Sequence, residues 1–298
     1  MKRRFIPGLV LAAAFTLTNC SEQLVSPEKE NDIIIDETVQ TPDVEDGERT
    51  PYVVYADIPV TKTIANGNGT YWAEGDKVTI YTKGEALCCQ GEYTYAGNKT
   101  FTGTAGTLSA VNDWYCIYPY KTSTAGSVTQ IQETVTIGAA ASNYIQTQTT
   151  VNSMTHIAGQ NVPMYGIVKQ VSGETTPTFS MSHIPALVAV KIVNGTGTPI
   201  TINQIALEAK TNPIVGDFTL GFNGETPTLD AVTTATSKIA NLAMRYGSDI
   251  ISAHSEGLFY LALAPVNDQF TIYVNGTPIT KDMTIPLESG KMTTLKVA

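Results

Sequence analysis

Short apolar runs separated by polar residues recur along the chain from residue 52 onward, and they predict β-strands. A period of two is clear where Trp114, Cys116 and Tyr118 would share one face of a strand. The runs Leu187–Val193 and Leu258–Leu263 are apolar almost throughout, which is typical of buried strands. Many short strands with Gly and Asn between them predict an all-β protein built from β-sandwiches.

Turns and helices are also indicated by the pattern. Asn194-Gly195 follows an apolar run and predicts a hairpin turn, because Asn and Gly tolerate positive φ. A helical period is visible only in Thr236–Met244 and in the short run Ile184–Leu187. We therefore expect few short helices.

The polar stretch Gln170–Thr178 contains Gly173 and Pro177 and has the composition of a domain joint. It divides the strand-rich part of the chain into residues 50–172 and residues 173–298. We expect each part to form one β-sandwich, because about 250 residues are enough for two domains of ordinary size.

The composition and the net charge argue against some classes of binding partner. The chain has 298 residues, of which 42% are hydrophobic and 15% charged, and its net charge is -9. Nucleic acids and anionic membranes attract clustered Lys and Arg, so this acidic balance argues against both as partners.

The N-terminus has the layout of an export signal. Lys2, Arg3 and Arg4 precede the apolar run Phe5–Leu17, which is too short to span a bilayer. Cys20 follows, with a Leu three residues before it, and this arrangement resembles a bacterial lipobox, in which the Cys is acylated and becomes the mature N-terminus. Residues 1–20 are therefore expected to be a lipoprotein signal peptide; an ordinary signal peptide with an incidental Cys is the alternative.

Residues 21–49 form a polar leader rich in Glu, Asp, Pro and Lys, a composition that does not bury enough apolar surface to fold alone. Its one apolar run comprises Ile33, Ile34, Ile35 and Val39, which make a short strand candidate. The leader ends at Arg49, in an acidic, Gly-containing stretch of the kind where proteolysis concentrates.

Three cysteines remain after Cys20, namely Cys88, Cys89 and Cys116, which is an odd number for an exported protein. A disulfide from Cys116 to Cys88 or to Cys89 is one interpretation. Buried free thiols are the favoured one, because Cys is among the most often buried residue types.

The sequence contains no recognisable catalytic or metal-binding motif. His156, His183 and His254 lack ligand spacing, and no G-x-S-x-G elbow is present. We expect neither an enzyme nor a metal or cofactor site. Trp72 and Trp114 fit either a surface pair that stacks on sugars or core aromatics, and the second interpretation is favoured.

Several motifs occur in an order that resembles the fimbrillin family, the type V pilins and their Mfa-like relatives. In chain order they are Lys62-Thr63, Tyr71–Tyr81, Phe101–Gly103, Tyr115–Tyr120, Phe179–Ile192 and Gly216–Leu220. Together with the lipobox and the leader, the resemblance extends over nearly the whole chain.

The resemblance implies two transthyretin-like β-sandwich domains in tandem and a structural role in a surface fimbria. It implies lipid attachment to the cell outer membrane through Cys20 and cleavage between Arg49 and Thr50 by a protease specific for Arg or Lys. Cleavage would remove the strand that contains Ile33, Ile34, Ile35 and Val39. A strand from another fimbrial subunit would then fill the groove, since an incoming strand restores the unpaired backbone of a sheet edge.

A stalk subunit is expected to carry a spare C-terminal segment, whereas the run Met292–Val297 is expected to belong to the C-terminal domain itself. This favours a tip or accessory subunit, which accepts a strand but donates none. The alternative function is a surface-tethered lipoprotein that binds glycans or proteins without polymerising, for which Trp72, Trp114 and the many Tyr residues are the motivation.

Overall fold

The structure is a computed structural model that describes residues 50–57, 72–106, 108, 110–121, 125–139, 143–157, 161–172 and 176–297. None of these residues lies in an α-helix, and no helix among them is long or apolar enough to cross a membrane. The all-β prediction is therefore confirmed.

The described residues form 22 β-strands. In chain order they are β1 (Thr50–Asp57), β2 (Lys77–Lys83), β3 (Leu87–Gly97), β4 (Thr100–Ala105), β5 (Val111–Tyr118), β6 (Gly126–Ser127), β7 (Glu133–Ile137), β8 (Ile145–Gln148), β9 (Met164–Ser172), β10 (Thr178–Ser180), β11 (Ser182–His183), β12 (Ala186–Val193), β13 (Ile200–Ile202), β14 (Gln204–Ala209), β15 (Val215–Asn223), β16 (Thr226–Ser237), β17 (Ile239–Met244), β18 (Asp249–Ile251), β19 (Glu256–Leu263), β20 (Val266–Val274), β21 (Thr277–Leu287) and β22 (Met292–Val297).

The first sheet contains nine strands in the order β10-β1-β4-β3-β2-β5-β9-β11, with β6 added beside β3. Its two end strands, β10 and β11, are separated in the chain by Met181 alone. The ends of the sheet therefore come together, and the sheet curls around an apolar interior. Trp114, Cys116 and Tyr118 all face this interior, as their period of two predicts.

The rest of the chain forms a sandwich. A three-stranded sheet in the order β19-β12-β22 faces a five-stranded sheet in the order β21-β20-β14-β17-β8, and fully buried side chains of both fill the space between them. Leu187–Val193 and Leu258–Leu263 lie in β12 and β19, as predicted. A third sheet, β16-β15-β7, packs against the outer face of the first sheet through residues such as Phe218 and Ile117.

Strand pairing crosses position 172 in both directions. β7 and β8 pair with β15 and β17, whereas β10 and β11 pair with β1 and β9. The described residues all fall within one compact unit, residues 44–298. The division into residues 50–172 and residues 173–298 stays a prediction, as does the tandem transthyretin-like arrangement.

The prediction of short helices is wrong at both places. Thr236–Met244 covers the end of β16 and all of β17, where Ala240, Leu242 and Met244 are buried and the residues between them are not. This is the period of a strand with one buried face, which competes with the helical period in a short run. In the run Ile184–Leu187, the first two residues form a bend and the last two begin β12.

The hairpin predicted at Asn194-Gly195 is also wrong, because β12 pairs with β19 and β22 and not with β13, the strand that follows. The Asn194 side chain is buried, and its amide donates hydrogen bonds to the carbonyl groups of Thr198, Ile251 and Ser252 at 2.9–3.2 Å. These hydrogen bonds hold the loop between β12 and β13 against the end of β18.

Candidate functional site

The predicted processing residues fall mostly before the first described strand. Cys20, Arg49, the removable strand of Ile33, Ile34 and Ile35, and its last apolar residue Val39 lie outside the described residues. Thr50, the residue after the predicted cut, is the first residue of β1. The entry of the chain into the first sheet is therefore the candidate site for assembly.

β1 is held unequally on its two sides. On one side it pairs antiparallel with β4 from Thr50 to Tyr55. On the other side it pairs in parallel with β10, which reaches only Tyr55, Ala56 and Asp57. The end of β1 is fixed further by the ion pair between Asp57 and Lys99 at 2.8 Å. Among the described residues, the two pairings overlap at Tyr55, the one residue of β1 in register with a strand on each side.

The inward face of β1 rests on aromatic rings. Val54 and Ala56 are fully buried, and Tyr52 stacks on the ring of Trp114 with centroids 5.1 Å apart. The indole N–H of Trp72 donates a hydrogen bond of 2.6 Å to the carbonyl group of Ala56. Burial raises the pKa of Tyr52, which keeps its phenol neutral on the inward face of β1. These contacts anchor β1 to the interior of the first sheet.

A turn at residues 72–76 delivers Trp72 to this position. Gly75 has a φ of +89°, which suits glycine, and the Asp76 carboxylate accepts a hydrogen bond from the Ala73 backbone N–H at 2.8 Å. The same carboxylate accepts a hydrogen bond from the Tyr118 hydroxyl at 3.1 Å. Burial and this acidic neighbour both raise the pKa of Tyr118. The Trp72–Asp76 motif therefore joins the start of β2 to the core under β1.

Trp72 also packs edge-on against Phe101 of β4, with ring centroids 4.8 Å apart, and against Tyr118 of β5 at 5.3 Å. The exposed fraction of the side chain is 9% for Trp72 and 0% for Trp114. The prediction that both are core aromatics is confirmed, and neither presents a ring to a surface glycan. The glycan-binding alternative thus loses the two residues that motivated it most.

Cys88 and Cys116 are free thiols, so the interpretation of a disulfide from Cys116 to Cys88 or Cys89 does not hold. Cys89 and Cys116 are buried, as predicted, whereas Cys88 is only half-buried. Burial raises the pKa of Cys116, so its thiol stays protonated and unreactive in the folded protein. These residues therefore pack as small apolar side chains.

Two open clefts of about 330 and 720 Å³ lie on either side of the loop around residues 129–132. Their lining includes Lys83, Gln130, Glu133 and Asp230. In the part of the chain that the structure describes, no group of three or more His, Cys, Asp and Glu residues is placed to hold a metal ion.

No family model matches the sequence, and no curated protein matches it. Solved structures do: one is a Bacteroides ovatus protein proposed to act in cell adhesion, with 15% identity and a TM-score of 0.47 over 84% of this chain and 92% of that chain. Another is the fimbrial anchor protein Mfa2 from Porphyromonas gingivalis, with 11% identity and a TM-score of 0.38 over 78% of this chain and 82% of that one.

The tip fimbrial protein Mfa3 from Porphyromonas gingivalis is similar at 13% identity and a TM-score of 0.38, over 80% of this chain and 84% of that chain. These three solved structures are fimbrial and cell adhesion proteins. With identities this low and TM-scores below one half, the function of this chain has to be argued from its own residues.

Proposed function

We propose that the chain is a structural subunit of a surface fimbria that is exported as a lipoprotein. Lipid on Cys20 tethers the precursor to the cell outer membrane, and a protease specific for Arg or Lys cuts it after Arg49. The cut releases the leader, and a strand from another fimbrial subunit takes the place of the leader strand. The tether follows from the signal layout at the N-terminus.

The observation that carries this proposal is the position of β1. Thr50 follows the predicted cut directly, and the described strand Thr50–Asp57 has its inward side chains packed into the aromatic interior. Cleavage after Arg49 would therefore leave all of Thr50–Asp57 in the trimmed chain. A mature chain that begins at Thr50 would start with β1, which is already paired with β4 and packed against the interior.

The unequal pairing of β1 supports a position for the leader strand. β10 reaches only the last three residues of β1, whereas β4 follows the strand from its start. We propose that Ile33–Val39 lies along the β10 side of the first half of β1 before cleavage. A donated strand would form the same kind of backbone ladder and place its alternate side chains over the same interior.

Met292–Val297 supports a role for this chain as an acceptor. It forms β22, which pairs with β12 in parallel and buries Leu295 and Val297 in the core of the sandwich. Withdrawal of this segment would expose that core, so β22 is not the segment that this chain donates. We further propose that the chain is a tip or accessory subunit of the fimbria.

The substitution Arg49→Gln tests the processing step. Incubation with an Arg-specific protease is expected to convert the wild-type precursor into a product that begins at Thr50, because the cut site adjoins an ordered strand and lies in a polar leader. The variant is expected to keep its leader under the same conditions. The measurement is the N-terminal residue of the product by mass spectrometry.

Arg245→Gln is the matched control, because Arg245 follows β17 in an exposed turn and has no part in the proposed maturation. This variant should still yield a product that begins at Thr50. Loss of the leader at the wild-type rate from the Arg49→Gln protein, or a wild-type product that begins elsewhere, would contradict the proposed cut site.

A further inference from the structure

β8 has an inverted pattern of burial. The side chain of Ile145 is 41% exposed, whereas Gln146 and Gln148 are 5% and 0% exposed. The backbone of β8 pairs in parallel with β17 at the edge of the five-stranded sheet. Its two buried amides therefore point away from that sheet's outer surface, toward β19 at the edge of the facing three-stranded sheet.

Both amides bind the backbone of β19 as a neighbouring strand would. The Gln146 side chain donates from Nε2 to the carbonyl group of Ala262 and accepts from its N–H at Oε1, both at 2.9 Å. The Gln148 side chain donates to the carbonyl group of Leu258 at 3.0 Å and accepts from the N–H of Tyr260 at 2.9 Å. A side-chain amide carries the same donor and acceptor as a peptide group, so each Gln replaces one rung of a ladder.

The segment after β8 completes the edge. The Asn152 backbone N–H donates to the carbonyl group of Leu258, and its side-chain oxygen accepts from the Leu258 N–H, both at 2.9 Å. The Nε2 atom of His156 lies 2.8 Å from the carbonyl oxygen of Tyr260. Burial lowers the pKa of His156, so the ring is neutral and Nε2 carries the proton that it donates.

All six outward peptide groups of Leu258, Tyr260 and Ala262 thus have partners within this chain. The intervening residues Phe259 and Leu261 pair with Val190 and Val188 on β12. The same segment covers the sheet's outer face, where Met154 and Ile157 pack on the buried cluster that contains Tyr260. Without this segment, β19 would be an uncovered edge strand that carries apolar residues along its length.

We propose that Gln146, Gln148, Asn152 and His156 form an edge cap that occupies the place of a strand beside β19 and prevents a second copy of the chain from pairing there. Unpaired edges are templates for pairing between molecules, and proteins commonly cover or interrupt them. The cap satisfies the edge with side chains, which offer no continuous backbone to a further strand. The inference holds whether or not the protein forms a fimbria, because it concerns β19 in the sandwich and not β1 in the first sheet.

The test uses the full-length unprocessed chain with the double substitution Gln146→Met and Gln148→Met, which keeps the side-chain length and removes both amides. Amide hydrogen exchange at Tyr260 and Ala262 is expected to rise by about tenfold or more, while exchange at Phe259 and Leu261 stays slow. Light scattering at increasing concentration is expected to show association of the variant and not of the wild type. Gln204→Met is the matched control, because the Gln204 amide donates to Asn241 on an exposed surface away from β19.

Two results would overturn the proposal. Unchanged exchange at Tyr260 and Ala262 would mean that the amides do not bind this edge. Faster exchange without any association, at concentrations up to the solubility limit, would mean that the cap stabilises the fold but does not prevent pairing. If the double variant does not fold, the single variant Gln146→Met is used instead, with hydrogen exchange measured at Ala262 and association measured by light scattering.

Discussion

The variant Trp72→Ala is expected to lose about 3–5 kcal/mol of the free energy of unfolding. It removes a nearly buried ring that packs edge-on against Phe101 and Tyr118, and it leaves a cavity under β1. It also removes the hydrogen bond to the carbonyl group of Ala56, which adds about 1 kcal/mol. Denaturant unfolding monitored by circular dichroism measures the loss.

Trp72→Phe separates the two contributions, because it keeps an aromatic ring and removes the N–H donor. Its loss should be smaller than that of Trp72→Ala. Tyr246→Ala serves as the control for removing an aromatic side chain, because Tyr246 is 76% exposed, and its effect should stay within about 0.5 kcal/mol. A loss below about 1 kcal/mol for Trp72→Ala would mean that the ring does not anchor β1.

The second large effect is expected from Gly138→Ala, at about 2–5 kcal/mol. Gly138 has a φ of +72°, and a Cβ atom there would collide with the carbonyl oxygen of Ala262 and lie 2.6 Å from the Nε2 atom of Gln146. The substitution therefore adds backbone strain and disturbs the first rung of the edge cap. Thermal or denaturant unfolding measures the loss, and hydrogen exchange at Ala262 should rise with it.

Gly224→Ala isolates the strain, because Gly224 has a φ of +64° and no atom within 4 Å of the position of an added Cβ. This control should lose about 1–2 kcal/mol and leave exchange at Ala262 unchanged. Equal losses for the two variants would show that the contact between Gly138 and the edge cap has no energetic importance.

The strands were predictable wherever one face is buried and the turn chemistry is local. Asn275-Gly276 joins β20 to β21, and Gly97-Asn98 lies at the turn between β3 and β4, both as their sequences indicate. Asn194-Gly195 has the same local signal but a different structure, because the buried Asn194 amide binds the nearby carbonyl group of Thr198 and the distant carbonyl groups of Ile251 and Ser252. The sequence of two residues alone does not indicate tertiary contacts of that kind.

The edge cap was not predictable from sequence. Ile145, Gln146, Thr147 and Gln148 alternate regularly, and the ordinary assumption would bury Ile145 and expose the two Gln residues. The structure has the opposite arrangement, with both Gln side chains buried and Ile145 exposed. A shift of the register by one residue exchanges the two faces of a strand, so alternation alone does not determine which face is buried. The sequence signal for the cap was the pair Gln146 and Gln148, whose side-chain amides can form the hydrogen bonds of a peptide group. Their partner strand β19 could not be identified from sequence, because it lies more than 100 residues further along the chain.

The candidate assembly site was predictable in part. The signal layout and the leader composition are properties of the sequence alone, and the position of the cut was inferred from one Arg in a polar stretch. The structure adds the place of Thr50–Asp57 in the first sheet and the two unequal neighbours of that strand. The sequence could not indicate this pairing, because β10 joins β1 from more than 120 residues further along the chain.

Binding of the leader strand to the trimmed protein is the most direct test of the proposed assembly. The wild-type chain is cut with an Arg-specific protease, the leader is washed away in mild denaturant, and a fluorescent peptide that copies residues 30–42 is added. Fluorescence anisotropy should show saturable binding to the trimmed protein, and none to the uncut Arg49→Gln chain or with a scrambled peptide. A trimmed protein that is folded and correctly begins at Thr50, yet binds the leader peptide no better than the scrambled one, would contradict assembly by strand exchange at β1.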